Sequence, residues 1–201
     1  MAQLTLRLPD ALRTTLDDLA DQRNSSLNAL IQECLEAHVD NHHIRQAFTS
    51  YAITHTRPDT HAARPPRATA STAWQLSLAD LDAVVAAHPQ QGLWWRNRAL
   101  AADIVHQVNL ALETRHAASI IRAAASLAAG FAAHYPLTAD NHEVGTGCAL
   151  ALLHVCGLDT PATNGIFQAQ MATILHSVSA AGTVTDAHLA TLSHLLTPTE
   201  S

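Results

Sequence analysis

Lysine is absent from this 201-residue sequence, and all eleven basic residues are arginines. No lysine side chain is therefore present to serve as a catalytic base or to hold a phosphate group. Cysteine is also scarce. Cys34, Cys148 and Cys156 are odd in number and have no CxxC spacing, which predicts reduced thiols, mostly buried, rather than a disulfide framework or a zinc site.

Long apolar runs are missing as well, since none reaches the roughly 18 residues that a transmembrane helix needs. The first ten residues, MAQLTLRLPD, hold a charged and proline-containing pattern where a signal peptide would have its apolar segment. The sequence therefore predicts a cytoplasmic protein with no membrane partner.

Positive charge is in short supply, because the formal net charge is −6 at pH 7. Residues 1–42 carry three arginines against seven acids, whereas residues 43–72 carry four arginines and one aspartate. This balance excludes a polybasic nucleic-acid-binding protein, so any DNA contact must be local and helped by a second chain. Hydrophobic residues make up 48% of the chain, which predicts a folded core.

Residues 3–8, QLTLRL, alternate strictly between polar and apolar, a period typical of a half-buried strand. Pro9 ends the pattern, and a helix is predicted from Asp10. A second helix is predicted after an N-cap at Ser25 or Ser26, with an apolar stripe along it. A lone strand with two helices leaves both strand edges unpaired and buries little surface. Pairing with a second copy solves both problems.

The order of these elements over about 40 residues resembles the ribbon-helix-helix family of DNA-binding proteins. The resemblance implies a homodimer whose two-stranded ribbon enters the major groove of an operator. Gln3, Thr5 and Arg7 would then read bases, as glutamine pairs with adenine and arginine with guanine. Ser25 and Ser26 would hold a phosphate at the start of the second helix. The alternative is a strand that only dimerises, with its polar face in water.

The predicted division of the chain is a ribbon-helix-helix domain over 1–44, a flexible linker over 45–72 and a helical domain over 73–201. The linker is rich in Pro, Thr, Ala and Arg and shows no periodicity. Phe48, Tyr51 and Ile53 are unusual in a solvated linker. They indicate either a segment that anchors onto a neighbour or the end of a helix.

Beyond Ala73 the pattern is helical, with about six predicted helices and no convincing strand. Ser77 is a predicted N-cap, and Asp80 stands three residues on in the capping-box position. The overall fold class is thus mostly α, a small N-terminal module followed by a compact helical bundle. The segment WWRNR, residues 94–98, either anchors a turn between helices or clamps a base.

The stretch HYPLTADNHEVG, residues 134–145, lies between two apolar helical runs. Over roughly 125 residues the helix order resembles the Fic/Doc family, whose signature reads His-Pro-Phe-any-acid-Gly-Asn-(Gly or Lys)-Arg. Alignment on Pro136 puts Tyr135 at the histidine position, Ala139 at the acid, Asn141 at the asparagine and Glu143 at the arginine. An alignment shifted by one puts His134 at the histidine position but loses the proline and asparagine matches.

This loop lacks the groups that nucleotidyl or phosphoryl transfer needs. Tyrosine, with a reference pKa near 10, stands in for the general base, an alanine for the carboxylate that holds Mg²⁺, and Glu143 adds like charge beside the substrate phosphates. His134, Asp140, His142 and Glu143 are suitable metal ligand types, but their spacing matches no known cage. The sequence predicts no cofactor, no metal and no catalytic residue here.

Together the two resemblances imply a transcriptional repressor of toxin–antitoxin type whose Fic/Doc-like part is inactive and binds a partner protein, such as a toxin or antitoxin, or a ligand. The alternative is a divergent Fic/Doc toxin that transfers AMP or phosphate from a nucleotide to a protein hydroxyl.

Overall fold

The structure, a computed structural model, describes residues 7–55, 74–90, 92–114, 116–161 and 163–198. These residues form eight helices: α1 (Asp10–Gln22), α2 (Leu27–His55), α3 (Leu78–Ala87), α4 (Arg98–Leu112), α5 (Ala117–His134), α6 (Asn141–Val155), α7 (Gly165–Ala181) and α8 (Asp186–Leu196). The mostly helical fold class is therefore confirmed, and α3 to α8 are the six helices predicted after residue 73.

The chain divides into two compact units, unit 1 (Met1–His42) and unit 2 (His43–Ser201). The division falls inside α2, close to the predicted domain end at residue 44.

Unit 1 contains α1 and the first part of α2. Asn24 has φ 51 in the turn between them, a left-handed conformation that asparagine tolerates better than most residues. The Ser26 hydroxyl then accepts a hydrogen bond from the Ala29 backbone N–H at 3.2 Å, so Ser26 is the N-cap of α2. Only two apolar residues are fully buried in the described part of this unit, Ala20 and Leu30.

The predicted N-terminal strand is not seen where it can be examined. Arg7 and Leu8 are not part of a paired strand, residues 3–6 lie outside the described residues, and no regular strand occurs in the described ranges. A strand needs a neighbouring strand to pair with, and the described residues of one copy of the chain provide none.

The linker prediction for residues 45–72 is wrong over residues 45–55, which form the C-terminal part of α2. Ile44, Phe48, Tyr51 and Ala52 recur at helical spacing and are buried in the core of unit 2. Phe48 and Tyr51 thus lie near the end of a helix and also anchor that helix in the core of unit 2, as each of the two interpretations proposed. Residues 56–72 lie outside the described residues.

Helix α5 occupies the centre of unit 2 and contacts α4, α6, α7 and α8. Its small side chains allow this close packing, and they are buried almost without exception from Ala123 to Ala132. A Cβ atom added at Gly130 would meet the Ile104 side chain at 2.8 Å, and one at Gly145 would meet Phe131 Cβ at 2.8 Å. The helices on either side of α5 therefore approach it at distances that only glycine permits.

By length and mean hydropathy, 1.2 over 18 residues, α5 alone among the described helices could cross a membrane. By these two criteria, α5 departs from the prediction that no segment is long and apolar enough to span a membrane. More than half of α5, 56%, is buried inside unit 2, which is the burial of a core helix surrounded by other helices.

The start of α3 follows the predicted capping box. The Ser77 side chain accepts from the Asp80 backbone N–H, and the Asp80 carboxylate accepts from the Ser77 backbone N–H at 2.7 Å. Asp80 is itself buried, and its second oxygen lies 3.0 Å from Nε of Arg45 on α2. A local capping motif thus also joins α3 to the C-terminal part of α2.

Candidate functional site

The DNA-contact residues predicted in unit 1 are only partly described. Gln3 and Thr5 lie outside the described residues, and Arg7 is exposed just before α1. Ser26 is exposed and caps α2, whereas Ser25 is half-buried, and its hydroxyl oxygen is buried with no hydrogen-bond partner among the described residues. Of the two serines, Ser26 is thus the one positioned at the accessible start of α2.

Large apolar side chains are exposed in unit 1. Leu12 on α1 is 46% exposed, and Leu35 and Val39 on α2 are 49% and 51% exposed. Leu35 and Val39 are four residues apart and so share one face of the helix. The stripe predicted from the sequence is present, but much of it faces solvent in one copy of the chain.

In unit 2, the signature-like loop spans residues 135–140, because Asn141 already begins α6. The loop is tied to the segment before α4 by an antiparallel bridge between Trp95 and Leu137. The Pro136 carbonyl accepts from the backbone N–H groups of Arg96 and Asn97 at 2.7 and 3.0 Å. The turn-anchoring interpretation of residues 94–98 is confirmed, since Trp95 Nε1 also donates to Asp82 at 2.8 Å.

Asn141 holds the loop from inside. It is buried, its Oδ1 accepts from the Leu137 N–H at 2.9 Å, and its Nδ2 donates to the carbonyls of Leu137 and Ala139 at 3.2 and 3.4 Å. Asp140, immediately before it, has φ 51, and so has a left-handed backbone. The amide side chain of Asn141 therefore stabilises the loop through hydrogen bonds to the loop backbone.

The other loop residues aligned with the family signature are spread over different surroundings. Tyr135 has a left-handed backbone, φ 46, and is 38% exposed. Ala139 is half-buried, and Glu143 is exposed in the first turn of α6. None of these three positions offers the base, the metal ligand or the cation that the signature supplies, and none of the described residues that line the cleft described next is an arginine.

A cleft of about 230 Å³ opens beside the first turn of α6. The last residue of α2, three residues of α6 and four of α7 line it: His55, His142, Glu143, Thr146, Gln168, Met171, Ala172 and Leu175. Imidazole, carboxylate, hydroxyl and amide groups thus meet an apolar wall formed by α7.

His142 is fixed in this cleft by α7. Its Nε2 lies 2.7 Å from Oγ of Ser179, and Ser179 donates to the carbonyl of Ala132 or Leu175, both at 2.9 Å. Because a serine hydroxyl carries one proton, Nε2 of His142 must be the donor to Ser179. The His176 ring packs edge-on against His142 with 4.8 Å between centroids.

Both cleft histidines favour the neutral form. Burial is the main cause that lowers the pKa of His142, and the nearby His176 lowers it further against an opposing effect of Glu143. Burial likewise lowers the pKa of His55, and this outweighs its hydrogen bond to the Tyr51 carbonyl. The His55 ring also stacks on Tyr51 at 4.1 Å.

Metal binding finds no support in the described residues. Within the ranges that the structure covers, no group of three or more His, Cys, Asp or Glu side chains is arranged to hold an ion. His134, Asp140, His142 and Glu143, which the sequence brings close together, therefore do not converge on one point. Cys148 is buried, Cys156 half-buried and Cys34 exposed, and none of the three forms a disulfide bond.

Sequence reasoning missed the cleft, although it singled out His142 and Glu143. The pairing of His142 with Ser179 spans 37 positions, and His55 comes from a segment predicted as linker. Only the packing of α2, α6 and α7 brings these residues together, so no local motif signals the site.

Compared with known proteins, the chain matches no family model, no curated protein and no solved structure. The ribbon-helix-helix and Fic/Doc resemblances accordingly stay predictions, and function is inferred from the geometry of the described residues.

Proposed function

We propose that the chain is a dimeric DNA-binding regulator of toxin–antitoxin type, in which unit 1 pairs with a second copy and contacts an operator. Unit 2 serves as a non-catalytic helical module that binds a partner protein or a ligand. The observation that carries this proposal is the exposed apolar face of unit 1.

That face supports pairing for a physical reason. About 40 residues bury too little surface to be stable by themselves, and Leu12, Leu35 and Val39 leave about half of their side-chain surface in water. Covering such side chains stabilises an assembly by about 25 cal/mol for each Å² of apolar surface removed from water. A second copy supplies a matching face, and it would also supply the missing partner for a strand at residues 3–8.

DNA contact is supported by groups at the surface of unit 1. Arg7 and Ser26 are exposed, and Ser26 begins a helix of 29 residues. Backbone N–H groups at a helix start favour phosphate binding. Since the chain carries a net charge of −6, binding has to come from these few local contacts and should weaken steeply with salt.

A non-catalytic role for unit 2 is supported by the loop. Asp140 directly precedes Asn141 and so aligns with the glycine of the signature, which its left-handed backbone suits. The Asn141 side chain is hydrogen-bonded to the loop backbone. The positions aligned with the base, metal ligand and phosphate clamp are tyrosine, alanine and glutamate. Each of these replacements removes a different chemical group that group transfer requires.

The association of the full chain tests the dimer. Light scattering at micromolar concentration should give a dimer for the wild type and a monomer for Leu35→Asp combined with Val39→Asp, because two charges would be buried at the interface. Leu110→Asp is the matched control, since Leu110 is 46% exposed in unit 2 and its substitution should leave the dimer intact. A monomeric wild type would remove the basis of the proposal.

DNA binding is tested by enriching a randomised double-stranded DNA library on the wild-type chain and measuring retardation of the enriched fragment. Arg7→Ala should weaken specific binding by about 1–3 kcal/mol. Arg96→Ala, an exposed arginine of unit 2, is the control and should bind as the wild type does. Equal retardation by wild type and Arg7→Ala, or no enrichment at all, contradicts the assignment.

The transferase alternative has a direct test. Wild-type chain incubated with labelled ATP, Mg²⁺ and host lysate should transfer no label to protein, and its expression should not arrest growth. Label transfer that Glu143→Gln changes while the exposed Glu113→Gln does not would establish the enzyme instead.

A further inference from the structure

We propose that the cleft between α2, α6 and α7 is a binding site for a small organic cation, an amidinium or primary amine on a flat apolar body. The site goes beyond the proposed DNA-binding function and does not depend on it.

The size of the cleft limits the ligand. Sites for drug-sized molecules measure roughly 300–1,000 Å³, whereas this cleft measures about 230 Å³. Its α7 wall is formed by Met171, Ala172 and Leu175, which favour an apolar ring over a polar chain. A ligand about the size of one substituted ring therefore fits, and a nucleotide with its phosphates does not.

Glu143 determines which sign of charge a ligand in the cleft should carry. Among the described residues that line the cleft, Glu143 carries the only carboxylate and none is an arginine, and the chain has no lysine. The positive end of α6 and the negative end of α2 both lie at the cleft, and their partial charges oppose each other. An anionic ligand would meet repulsion from Glu143, whereas a cation would pair with it.

The polar side chains of the lining are available to a ligand. Across the described ranges, the side chains of Glu143, Thr146 and Gln168 make no hydrogen bond or ion pair with the protein. All three present oxygen atoms that accept hydrogen bonds. A carboxylate accepts two parallel N–H bonds from a planar, charged donor, so an amidinium fits this set better than a point charge does.

The rings of His55 and His142 do not compete with a cation at neutral pH. Among the described residues, His55 from α2, His142 from α6 and His176 from α7 are the other ionisable side chains at or beside the cleft, with Tyr135 behind His142. Burial lowers the pKa of both His55 and His142, which keeps these rings uncharged. Since His142 donates through Nε2 to Ser179, its Nδ1 is a further acceptor in the neutral ring.

Three probes of one shape and different charge test the site: benzamidine, benzamide and benzoate, each titrated into the full wild-type chain and followed by calorimetry and amide NMR. Benzamidine should bind with a dissociation constant of roughly 1 mM or below and shift amides of α6 and α7. Benzamide and benzoate should bind on the order of tenfold more weakly. Equal binding of all three probes, or no binding of benzamidine, overturns the proposal.

Two variants locate the binding. Glu143 is exposed, and Glu143→Gln removes its charge while it keeps the shape of the side chain. This variant should weaken benzamidine binding on the order of tenfold. Ala172→Leu should fill the cleft and abolish binding of all three probes, with an unchanged circular dichroism spectrum. Glu113→Gln, an exposed glutamate at the end of α4, is the matched control. Unchanged affinity in Glu143→Gln, or equal loss in Glu113→Gln, contradicts the site.

Discussion

Unit 1 and unit 2 differ in where their large apolar side chains lie. In the described part of unit 1, Ala20 and Leu30 are the fully buried apolar residues, while Leu12, Leu35 and Val39 are exposed. In unit 2 the apolar residues of six complete helices and the end of α2 form one continuous core. The same helical periodicity therefore produces a closed core in one region and an open face in the other.

Helical periodicity in the sequence thus identifies an apolar helix face but does not identify what covers that face. The stripe of unit 2 that runs from Ile44 to Tyr51 is covered by the chain's own helices. The stripe of unit 1 has no comparable cover among the described residues of that unit, which is why the proposed dimer assigns its cover to a second copy.

Truncation of a buried aromatic side chain should show the difference in stability between the two units most clearly. Phe131→Ala removes a fully buried ring that lies 6.4 Å from the ring of Trp95 and should lower the free energy of unfolding by about 3–5 kcal/mol. Trp74, Trp94 and Trp95 all lie in unit 2, so urea denaturation followed by tryptophan fluorescence reports on this unit. Leu12→Ala in unit 1 should change that transition by less than about 0.5 kcal/mol. Equal losses in the two variants would contradict the contrast.

Overpacking of the contact between α5 and α6 should have the next largest effect. Gly145→Ala puts a methyl group 2.8 Å from Phe131 Cβ and 3.3 Å from the Ala128 carbonyl oxygen, which should cost about 1–3 kcal/mol in the same fluorescence transition. Gly165→Ala is the control, because a Cβ there meets nothing within 4 Å. A stabilised Gly145→Ala variant would mean that the two helices have room to move apart.

Helix caps offer a milder comparison of the units. Ser77→Ala breaks a capping box around the buried Asp80 and should cost about 1–2 kcal/mol, whereas Ser26→Ala removes one exposed 3.2 Å bond and should cost about 0.5–1 kcal/mol. Fluorescence denaturation measures the first and hydrogen exchange of the Ala29 amide the second. A larger loss from Ser26→Ala would show that unit 1 is better ordered around its cap than its burial indicates.

Acidification should weaken unit 2 by a smaller amount. The folded-state pKa values of His55 and His142 lie below 6.5 because burial disfavours the charged rings. The unfolded chain then binds more protons, so this stability is present above about pH 6.5 and is lost as the pH falls from there through the folded-state values. Urea midpoints between pH 8 and pH 5 measure the slope.

Two histidine variants test whether His142 causes this dependence of stability on pH. His142→Gln keeps a donor for Ser179 and should flatten the pH dependence. His106→Gln, at an exposed position of α4, should leave it unchanged. A midpoint that rises as the pH falls would refute the burial explanation.

Much of the fold could be predicted from the sequence because its signals are local. The start of α1 at Asp10, the capping box at Ser77 and the six helices after residue 73 follow from periodicity and capping chemistry alone. The predicted linker failed over residues 45–55 because its composition hid a buried face. Phe48 and Tyr51 signalled that face, but only the presence of a core to receive them decides between an anchor and a helix end.

The sequence by itself determined the helical class, the apolar stripes and the absence of lysine and of a complete transfer signature, because these depend on residue identity and short spacing. Only the tertiary structure decided that Asn141 holds the loop, that Glu143 stands unpaired, and that His55, His142 and Gln168 line one cleft. The physical reason is that helix packing sets distances between residues far apart in the chain, and no local pattern contains that information.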